Sequence, residues 1–220
     1  MKIVSWNIRR LGDVRKGGII KDVMKRIKPD IFMIQETKQE ILGKKEVGST
    51  FGTIFKEWIF APSSGKSGGL AMIWNRKAVD IVDWLMGEFS IPIKIERYNG
   101  SEWWLSSVYG PCRPKERTDF WLVLASLCGL VVLTDLLLCE GRFQRCSVSI
   151  WKINWGKGEY QHEDHQKFHQ RCWIKGSRLV NVSFTWSNLR EESICCRMDR
   201  FLFSNGWEDF FSFFQVKGLG

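Results

Sequence analysis

Residues 30–37 read Asp-Ile-Phe-Met-Ile-Gln-Glu-Thr, a short apolar run that ends in polar residues. Such a run is typical of a buried β-strand. Residues 2–6 predict another strand, and residues 14–28 between the two predict a helix that ends before Pro29. One face of this helix carries the apolar residues Ile19, Ile20, Val23, Met24 and Ile27. A strand, a helix and a strand in this order usually form a parallel pair, so the sequence predicts an α/β fold.

The rest of the chain is predicted to alternate between strands, turns and one further helix. Residues 61–69 predict a turn, Asn99-Gly100 predicts a hairpin, and residues 118–128 predict a helix that breaks near Gly129. Strands are predicted at residues 70–74, 79–89, 91–95, 103–109, 131–133, 184–186 and 200–203.

The composition excludes several protein classes. With 220 residues, 44% hydrophobic and 26% charged, residues 1–220 predict one packed domain rather than a disordered chain. The seven cysteines contain no Cys-x-x-Cys pair and the first residues lack a signal-peptide pattern, so we expect a nuclear or cytoplasmic protein. Gly129, Thr134 and Asp135 interrupt the apolar stretch 122–139, so no membrane partner is predicted.

The charge favours a polyanionic partner. Lys and Arg number 33 against 24 Asp and Glu, a net charge of +9, which points to DNA, with RNA as a second possibility. Arg9, Arg10 and Arg15 follow the first strand and are candidates for contacts with the phosphate backbone. The alternative is that these arginines belong to a solvated loop that binds no phosphate. No obligate protein partner is predicted.

Polar side chains stand where three predicted strands end: Asn7, Glu36 and Tyr109. The ends of neighbouring strands meet at one edge of a sheet, where α/β enzymes build their sites. A carboxylate with an amide and a phenol beside it could hold Mg²⁺ and one phosphate oxygen. Asn, Glu and Tyr are also common at strand ends and turns that have no functional role. The pattern alone therefore leaves open whether these residues form a site or ordinary turns.

Seven short motifs make this interpretation more specific. They are Met1-Lys2-Ile3-Val4-Ser5-Trp6-Asn7-Ile8-Arg9, Pro29-Asp30 through Gln35-Glu36-Thr37-Lys38, Ser67-Gly68-Gly69-Leu70, Ser107-Val108-Tyr109-Gly110-Pro111, Asp119-Phe120-Trp121, Phe184-Thr185-Trp186-Ser187-Asn188 and Arg197-Met198-Asp199-Arg200-Phe201-Leu202. In this order they resemble the endonuclease/exonuclease/phosphatase superfamily, and within it the endonuclease domain of plant LINE-type (non-LTR) retrotransposons.

The resemblance implies a four-layered α/β sandwich, two packed β-sheets flanked by helices, that carries out Mg²⁺-dependent phosphodiester hydrolysis such as DNA nicking. It assigns Glu36 and Asn7 to the metal site and Tyr109 to a phosphate contact. Thr185 corresponds to a threonine near the scissile strand, and Asp199 to the aspartate of the late Arg-x-Asp motif.

The sequence departs from the family where the water-activating aspartate is expected. The family's Gly-Asp-Phe-Asn aligns with Gly-Arg-Phe-Gln, which puts Arg142 and Gln144 at the degenerate positions. A second alignment uses Asp135, but Leu137 then stands at the amide position and cannot bind phosphate through a hydrogen bond. Residues 140–180 are therefore atypical.

Two further departures concern histidine. The family's terminal Ser-Asp-His is not reached before Gly220, so we expect a fold that is incomplete at its C-terminus. His162, His165 and His169 share one helical face, but the resemblance places that helix away from the site. A general base and a charge-stabilising group are each worth about 10²–10⁴-fold in rate. The sequence thus predicts an inactive or severely impaired nuclease, with a non-catalytic nucleic-acid-binding domain as the alternative.

Overall fold

The computed structural model describes residues 1–52, 56–64, 67–111, 113–134, 137–142, 174–187, 195–211 and 213–218. The chain divides into two compact units, Met1–Tyr109 and Gly110–Gly220. Strands and helices occur in both, so the predicted mixed α/β class is confirmed. That residues 1–220 form one domain stays a prediction.

The first unit is built on a four-stranded sheet in the order β1-β2-β4-β3. Its strands are β1 (Ile3–Asn7), β2 (Ile31–Gln35), β3 (Lys56–Ser64) and β4 (Ser67–Asn75). β1 and β2 are parallel, as the strand-helix-strand pattern predicts, and the other pairs are antiparallel. Asn7 is in register with Gln35, so β1 and β2 end at the same edge.

Two helices cover one face of this sheet. They are α1 (Val14–Ile27) and α2 (Lys44–Phe51), and their apolar residues pack with Val4, Phe32 and Ile73 of the strands. Ile20 and Val23 of α1 are buried as predicted, but Ile19 is exposed, so its assignment to the apolar face was wrong. The side chain of Ile19 is about half exposed, whereas that of its neighbour Ile20 is buried.

The other face of the sheet packs against an antiparallel meander. Its strands are β5 (Asp80–Trp84), β6 (Ser90–Glu96) and β7 (Glu102–Tyr109), and β6 and β7 contact β4. All five residues of β2 are buried because β2 lies between the helices and this meander. The first unit therefore has three layers around two apolar interiors.

Two predicted boundaries in this unit were wrong. Residues 61–64 and 67–69 of the predicted turn belong to strands, because β3 runs to Ser64 and β4 begins at Ser67. The strand predicted at 79–89 is confined to β5, and the hydrogen bond from the Gly87 amide to the Ser90 carbonyl turns the chain before β6.

The second unit contains an antiparallel set of strands in the order Leu137–Arg142, Asp199–Ser204, Ile174–Gly176, and a short two-stranded pair. A 3₁₀ turn (Pro114–Glu116) leads into α3 (Arg117–Thr134), and β8 (Leu137–Arg142) follows. The remaining elements are β9 (Ile174–Gly176), β10 (Trp186–Ser187), β11 (Cys195–Cys196), β12 (Asp199–Ser204) and a final turn of helix, α4 (Trp207–Phe210).

α3 is continuous through Gly129, so the predicted break and the strand at 131–133 were wrong. A glycine inside a helix costs only about 1 kcal/mol relative to alanine. Burial of Phe120, Leu124 and Leu127 on one face offsets such a cost. Among the described residues, no helix combines the length and apolar character that crossing a membrane requires.

Candidate metal and phosphate site

Asn7 and Glu36 lie together at the edge where β1 and β2 end. Asn7 Nδ2 donates a hydrogen bond of 2.9 Å to Glu36 Oε1, and the amide of Arg9 donates one of 3.2 Å to Asn7 Oδ1. The two bonds fix the orientation of the Asn7 amide, because the carboxylate requires a donor and the backbone N–H requires an acceptor. Asn7 therefore orients the carboxylate of Glu36.

Glu36 stands at an irregularity between β2 and β4. Leu70 is in register with Gln35, and the carbonyl of the preceding residue, Gly69, accepts a hydrogen bond of 3.1 Å from the amide of Thr37. Glu36 is thus an extra residue in its strand, and its φ is 53°. Such bulges redirect a side chain next to a functional site. Here Glu36 comes directly after the five buried residues of β2 and is half-buried.

Basic residues occupy the loop that follows β1. Arg9 and Arg10 are exposed and have φ values of 55° and 152°. The loop is held in place by Lys16 Nζ, which donates to the Ile8 carbonyl at 2.7 Å, and by the Leu11 amide, which donates to the Thr37 carbonyl at 2.8 Å. Two candidate phosphate-binding arginines therefore belong to the loop that directly follows Asn7, the partner of Glu36.

Arg15, the third candidate, has a local role. It follows Asp13, the N-cap of α1, and its amide donates to Asp13 Oδ1 at 3.0 Å. This hydrogen bond, more than the nearby charges of Arg15 and Lys16, holds the pKa of Asp13 below its usual value. The Arg15 side chain also lies 3.7 Å from the carboxylate, an exposed ion pair of small energetic value.

Tyr109 is the last residue of β7 and is buried. Its amide donates a hydrogen bond of 2.9 Å to the carbonyl of Phe89, which extends the pairing of β6 and β7. The structure thus places Tyr109 at a strand end in the same unit as Asn7 and Glu36.

In the second unit the structure brings Thr185 and Asp199 together. Thr185 Oγ1 accepts hydrogen bonds of 3.0 Å from the amides of Met198 and Asp199. The hydroxyl therefore fixes the start of β12, a structural role that sequence reasoning did not find.

The departures from the family pattern lie partly outside the described residues. Arg142 ends β8 and is in register with Asp199 across the antiparallel pair. Gln144, Asp135 and the three histidines lie outside the described residues, as does most of the stretch 140–180.

Sequence reasoning also missed the glycine that holds the residues after Glu36. Gly69 has a φ of 86°, and a Cβ there would overlap Thr37 Oγ1 and lie 3.2 Å from the Lys38 amide. The signal that could have identified it is Gly68-Gly69 at the start of a strand, since paired glycines there mark a close backbone approach.

A comparison with protein-family models identifies the chain. The model described as the endonuclease/exonuclease/phosphatase family matches residues 4–131, more than half of the sequence. The chain belongs to the endonuclease/exonuclease/phosphatase family. A comparison with curated proteins finds no match.

Solved structures share the fold of this family member. The 3'-5' exonuclease NExo from Neisseria meningitidis has a TM-score of 0.68 at 16% identity, over 93% of this chain and 87% of that one. The AP endonuclease LMAP from Leishmania major gives 0.67 at 13%, over 93% and 79%. The endonuclease domain of TRAS1, a telomere-specific non-LTR retrotransposon, gives 0.62 at 16%, over 94% and 87%. At these identities the likeness concerns the fold.

The endonuclease/exonuclease/phosphatase family generally depends on a divalent metal. Within the described residues, no three His, Cys, Asp or Glu side chains converge on a common point. Mg²⁺ is commonly held by one or two carboxylates together with water and substrate phosphates, rather than by an all-protein cage. The single half-buried carboxylate of Glu36, oriented by Asn7, fits that mode of binding.

Proposed function

We propose that this chain is the endonuclease-type domain of a plant LINE-type, non-LTR retrotransposon that binds Mg²⁺ and DNA but cleaves the phosphodiester poorly or not at all. The hydrogen bond between Asn7 and Glu36 carries the metal-binding half of the proposal. The fold shared with the TRAS1 endonuclease domain and the ordered motifs support the retrotransposon origin. The domain would act inside the cell, in the nucleus or the cytoplasm.

Each residue of the proposed site has one task. Glu36 would hold the metal through a carboxylate oxygen, and Asn7 keeps that carboxylate in place through its hydrogen bond. Mg²⁺, when bound, would neutralise negative charge on a phosphate oxygen. The phenol of Tyr109 would donate a hydrogen bond to the same phosphate. Asp199, in the second unit, corresponds to the aspartate of the family's Arg-x-Asp motif.

Arg142 is the basis for proposing impaired cleavage. In the alignment of Gly141-Arg142-Phe143-Gln144 with the family motif, Arg142 takes the place of the water-activating aspartate, and a guanidinium cannot accept a proton at neutral pH. Its charge would repel Mg²⁺ and attract the phosphate, which favours binding over hydrolysis. The loss of a general base typically lowers a rate by about 10²–10⁴-fold. The chain would then be a pseudoenzyme.

Nicking of supercoiled plasmid by the monomeric protein in Mg²⁺ tests this proposal. We expect little or no conversion to open circles, together with Mg²⁺ binding that Glu36→Gln abolishes. Nicking that both EDTA and Glu36→Gln abolish would show that another group replaces the aspartate, and the proposed impairment would be wrong. Metal binding that Glu36→Gln leaves unchanged would refute the metal site.

The second candidate function is that of a nucleic-acid-binding domain without metal chemistry. The net charge of +9 and the exposed Arg9 and Arg10 favour it. Binding led by phosphate contacts weakens steeply with salt. Tight, salt-dependent DNA or RNA binding that is insensitive to EDTA and to Glu36→Gln would support this function over the first.

A further inference from the structure

The backbone around Glu36 is clamped from both sides. On one side, the amides of Thr37 and Lys38 donate to the carbonyls of Gly69 and Gly68 at 3.1 and 3.2 Å. On the other side, the Thr37 carbonyl accepts from the amide of Leu11 at 2.8 Å. Thr37 is thus tied to β4 and to the loop after β1 at once, and its side chain is fully buried.

The clamp holds an unfavourable conformation. Glu36 and Lys38 have φ values of 53° and 51°, in the left-handed region that residues with a Cβ rarely adopt. A residue stays there only when its surroundings fix it. The two residues that follow Glu36 are fixed by the hydrogen bonds of the Thr37 and Lys38 amides, both of which depend on the close approach of Gly68-Gly69.

We propose that Gly69 is a positioning residue for the carboxylate of Glu36, because only a residue without a side chain allows β4 to clamp Thr37 and so keep Glu36 in its bulge. This inference rests on the proposed function, in which Glu36 holds the metal. Gly69 touches neither metal nor substrate and acts through the backbone alone.

The requirement is specific to position 69. A Cβ on Gly69 would collide with Thr37 Oγ1 and press on the Lys38 amide. The Thr37 backbone is hydrogen-bonded on both sides and its side chain is fully buried, which leaves little room to relieve the collision. A Cβ on Gly68 would meet nothing within 4 Å, although its φ of 80° is similar to the 86° of Gly69. Left-handed strain is common to both glycines, whereas the collision occurs at Gly69.

The test compares Gly69→Ala with two matched variants in the full chain. Gly100→Ala is the control for strain, since Gly100 has a φ of 76° in the hairpin between β6 and β7 and open space around it. The double variant Thr37→Ala/Gly69→Ala removes the hydroxyl that blocks the new methyl group. In the described part of the chain that hydroxyl has no hydrogen-bond partner, so its removal breaks none there.

The test needs two measurements. The affinity for Mn²⁺ is measured from the EPR signal of the free ion, and the stability of the backbone hydrogen bonds is measured by amide hydrogen exchange in the absence of metal. We expect Gly69→Ala to weaken Mn²⁺ binding about 10–100-fold, the usual effect of losing an outer-shell support. Exchange at the Thr37 and Lys38 amides should accelerate in the same variant. Gly100→Ala should bind Mn²⁺ like the native chain, and the double variant should recover most of the loss.

Unchanged Mn²⁺ affinity in folded Gly69→Ala would overturn the inference, and so would an equal loss in Gly100→Ala. Failure of both position-69 variants to fold would also overturn it, because Gly69 would then support the sheet rather than the carboxylate. The variant Glu36→Gln distinguishes failure of this inference from failure of the proposed function. If Glu36→Gln binds Mn²⁺ normally, the metal site itself is wrong.

Discussion

The side-chain amide of Asn7 donates a hydrogen bond of 2.9 Å to Oε1 of Glu36, which is 29 residues away in sequence and follows the end of the neighbouring parallel strand. The bond joins a regular strand end to a bulge with left-handed backbone. A carboxylate held by its neighbours in this way loses little rotational freedom when it binds a cation, so pre-organisation favours binding.

Asn7→Ala should therefore weaken metal binding without unfolding the protein. Outer-shell partners of metal ligands are typically worth about 10–100-fold in affinity, and we expect a loss in that range for Mn²⁺. Asn99→Ala is a suitable control, because Asn99 also accepts a backbone hydrogen bond but lies in the hairpin between β6 and β7. Equal Mn²⁺ affinity in both variants would count against an orienting role for Asn7.

DNA binding should depend on salt through Arg9 and Arg10. Each lost phosphate contact lowers the slope of log affinity against log salt by about 0.9. We expect Arg9→Ala and Arg10→Ala each to show this change, and Arg15→Ala a smaller one, since Arg15 is paired with Asp13. Arg76→Ala is the control, because Arg76 follows the end of β4 farthest from Gly69 and pairs with Glu57. Slopes that change equally in all four variants would indicate a diffuse charge effect.

Asp13 should make stability dependent on acid pH. The backbone hydrogen bond from Arg15 lowers its pKa in the folded chain. The contribution to stability is therefore fully present above the unfolded pKa and is lost as pH falls through the folded pKa. Asp13→Asn keeps an N-cap acceptor but removes the charge. Its midpoint of thermal unfolding should lie below that of the native chain at neutral pH, and the two should converge in acid. A difference that persists at the lowest pH would exclude the charge as its cause.

Thr185 should matter for stability more than for nucleic-acid binding. Thr185→Val removes the acceptor of two backbone amides at the start of β12, which should lower the free energy of unfolding by about 1–3 kcal/mol. Thr185→Ser keeps the hydroxyl and should restore most of it. Urea unfolding measures both. A Thr185→Val variant with native stability and reduced DNA affinity would instead support the contact near the scissile strand that the family resemblance implies.

The sequence predicted those parts of the fold that depend on repeating apolar patterns. β1, α1 and β2 follow from such patterns, and the nearness of Asn7 and Glu36 follows from strand ends that meet at one edge. The roles of these two residues stay predictions. α2 was missed because it buries only Val47 and Phe51, too few apolar residues to show a period.

The bulge at Glu36 could not be predicted, since it depends on hydrogen bonds between residues about 30 positions apart in sequence. The Thr37 amide donates to the carbonyl of Gly69, and no local sequence pattern near Glu36 indicates that the strand pairing shifts by one residue there. The prediction that the helix breaks at Gly129 was also wrong because contacts distant in sequence outweigh a local signal. Local propensity disfavours glycine in a helix by about 1 kcal/mol, and burial of the same helix outweighs it.

Restoring the family residues in β8 and beyond should recover cleavage. Arg142→Asp with Gln144→Asn would supply a proton acceptor and a phosphate-binding amide at the degenerate positions. The new carboxylate would stand in register with Asp199, and like charges opposite each other destabilise a strand pair. We therefore expect Mg²⁺ to raise the thermal stability of this double variant more than that of the native chain.

Plasmid nicking by the double variant should exceed that of the native chain by about 10²-fold or more, the usual value of a general base. The same substitutions combined with Glu36→Gln provide the control, and nicking should then be lost, because the metal site no longer holds its ion. A folded double variant that binds Mn²⁺ with native affinity and still does not nick DNA would show that Arg142 is not the cause of impairment. Catalysis would then be limited by another missing group, such as the charge-stabilising histidine of the family.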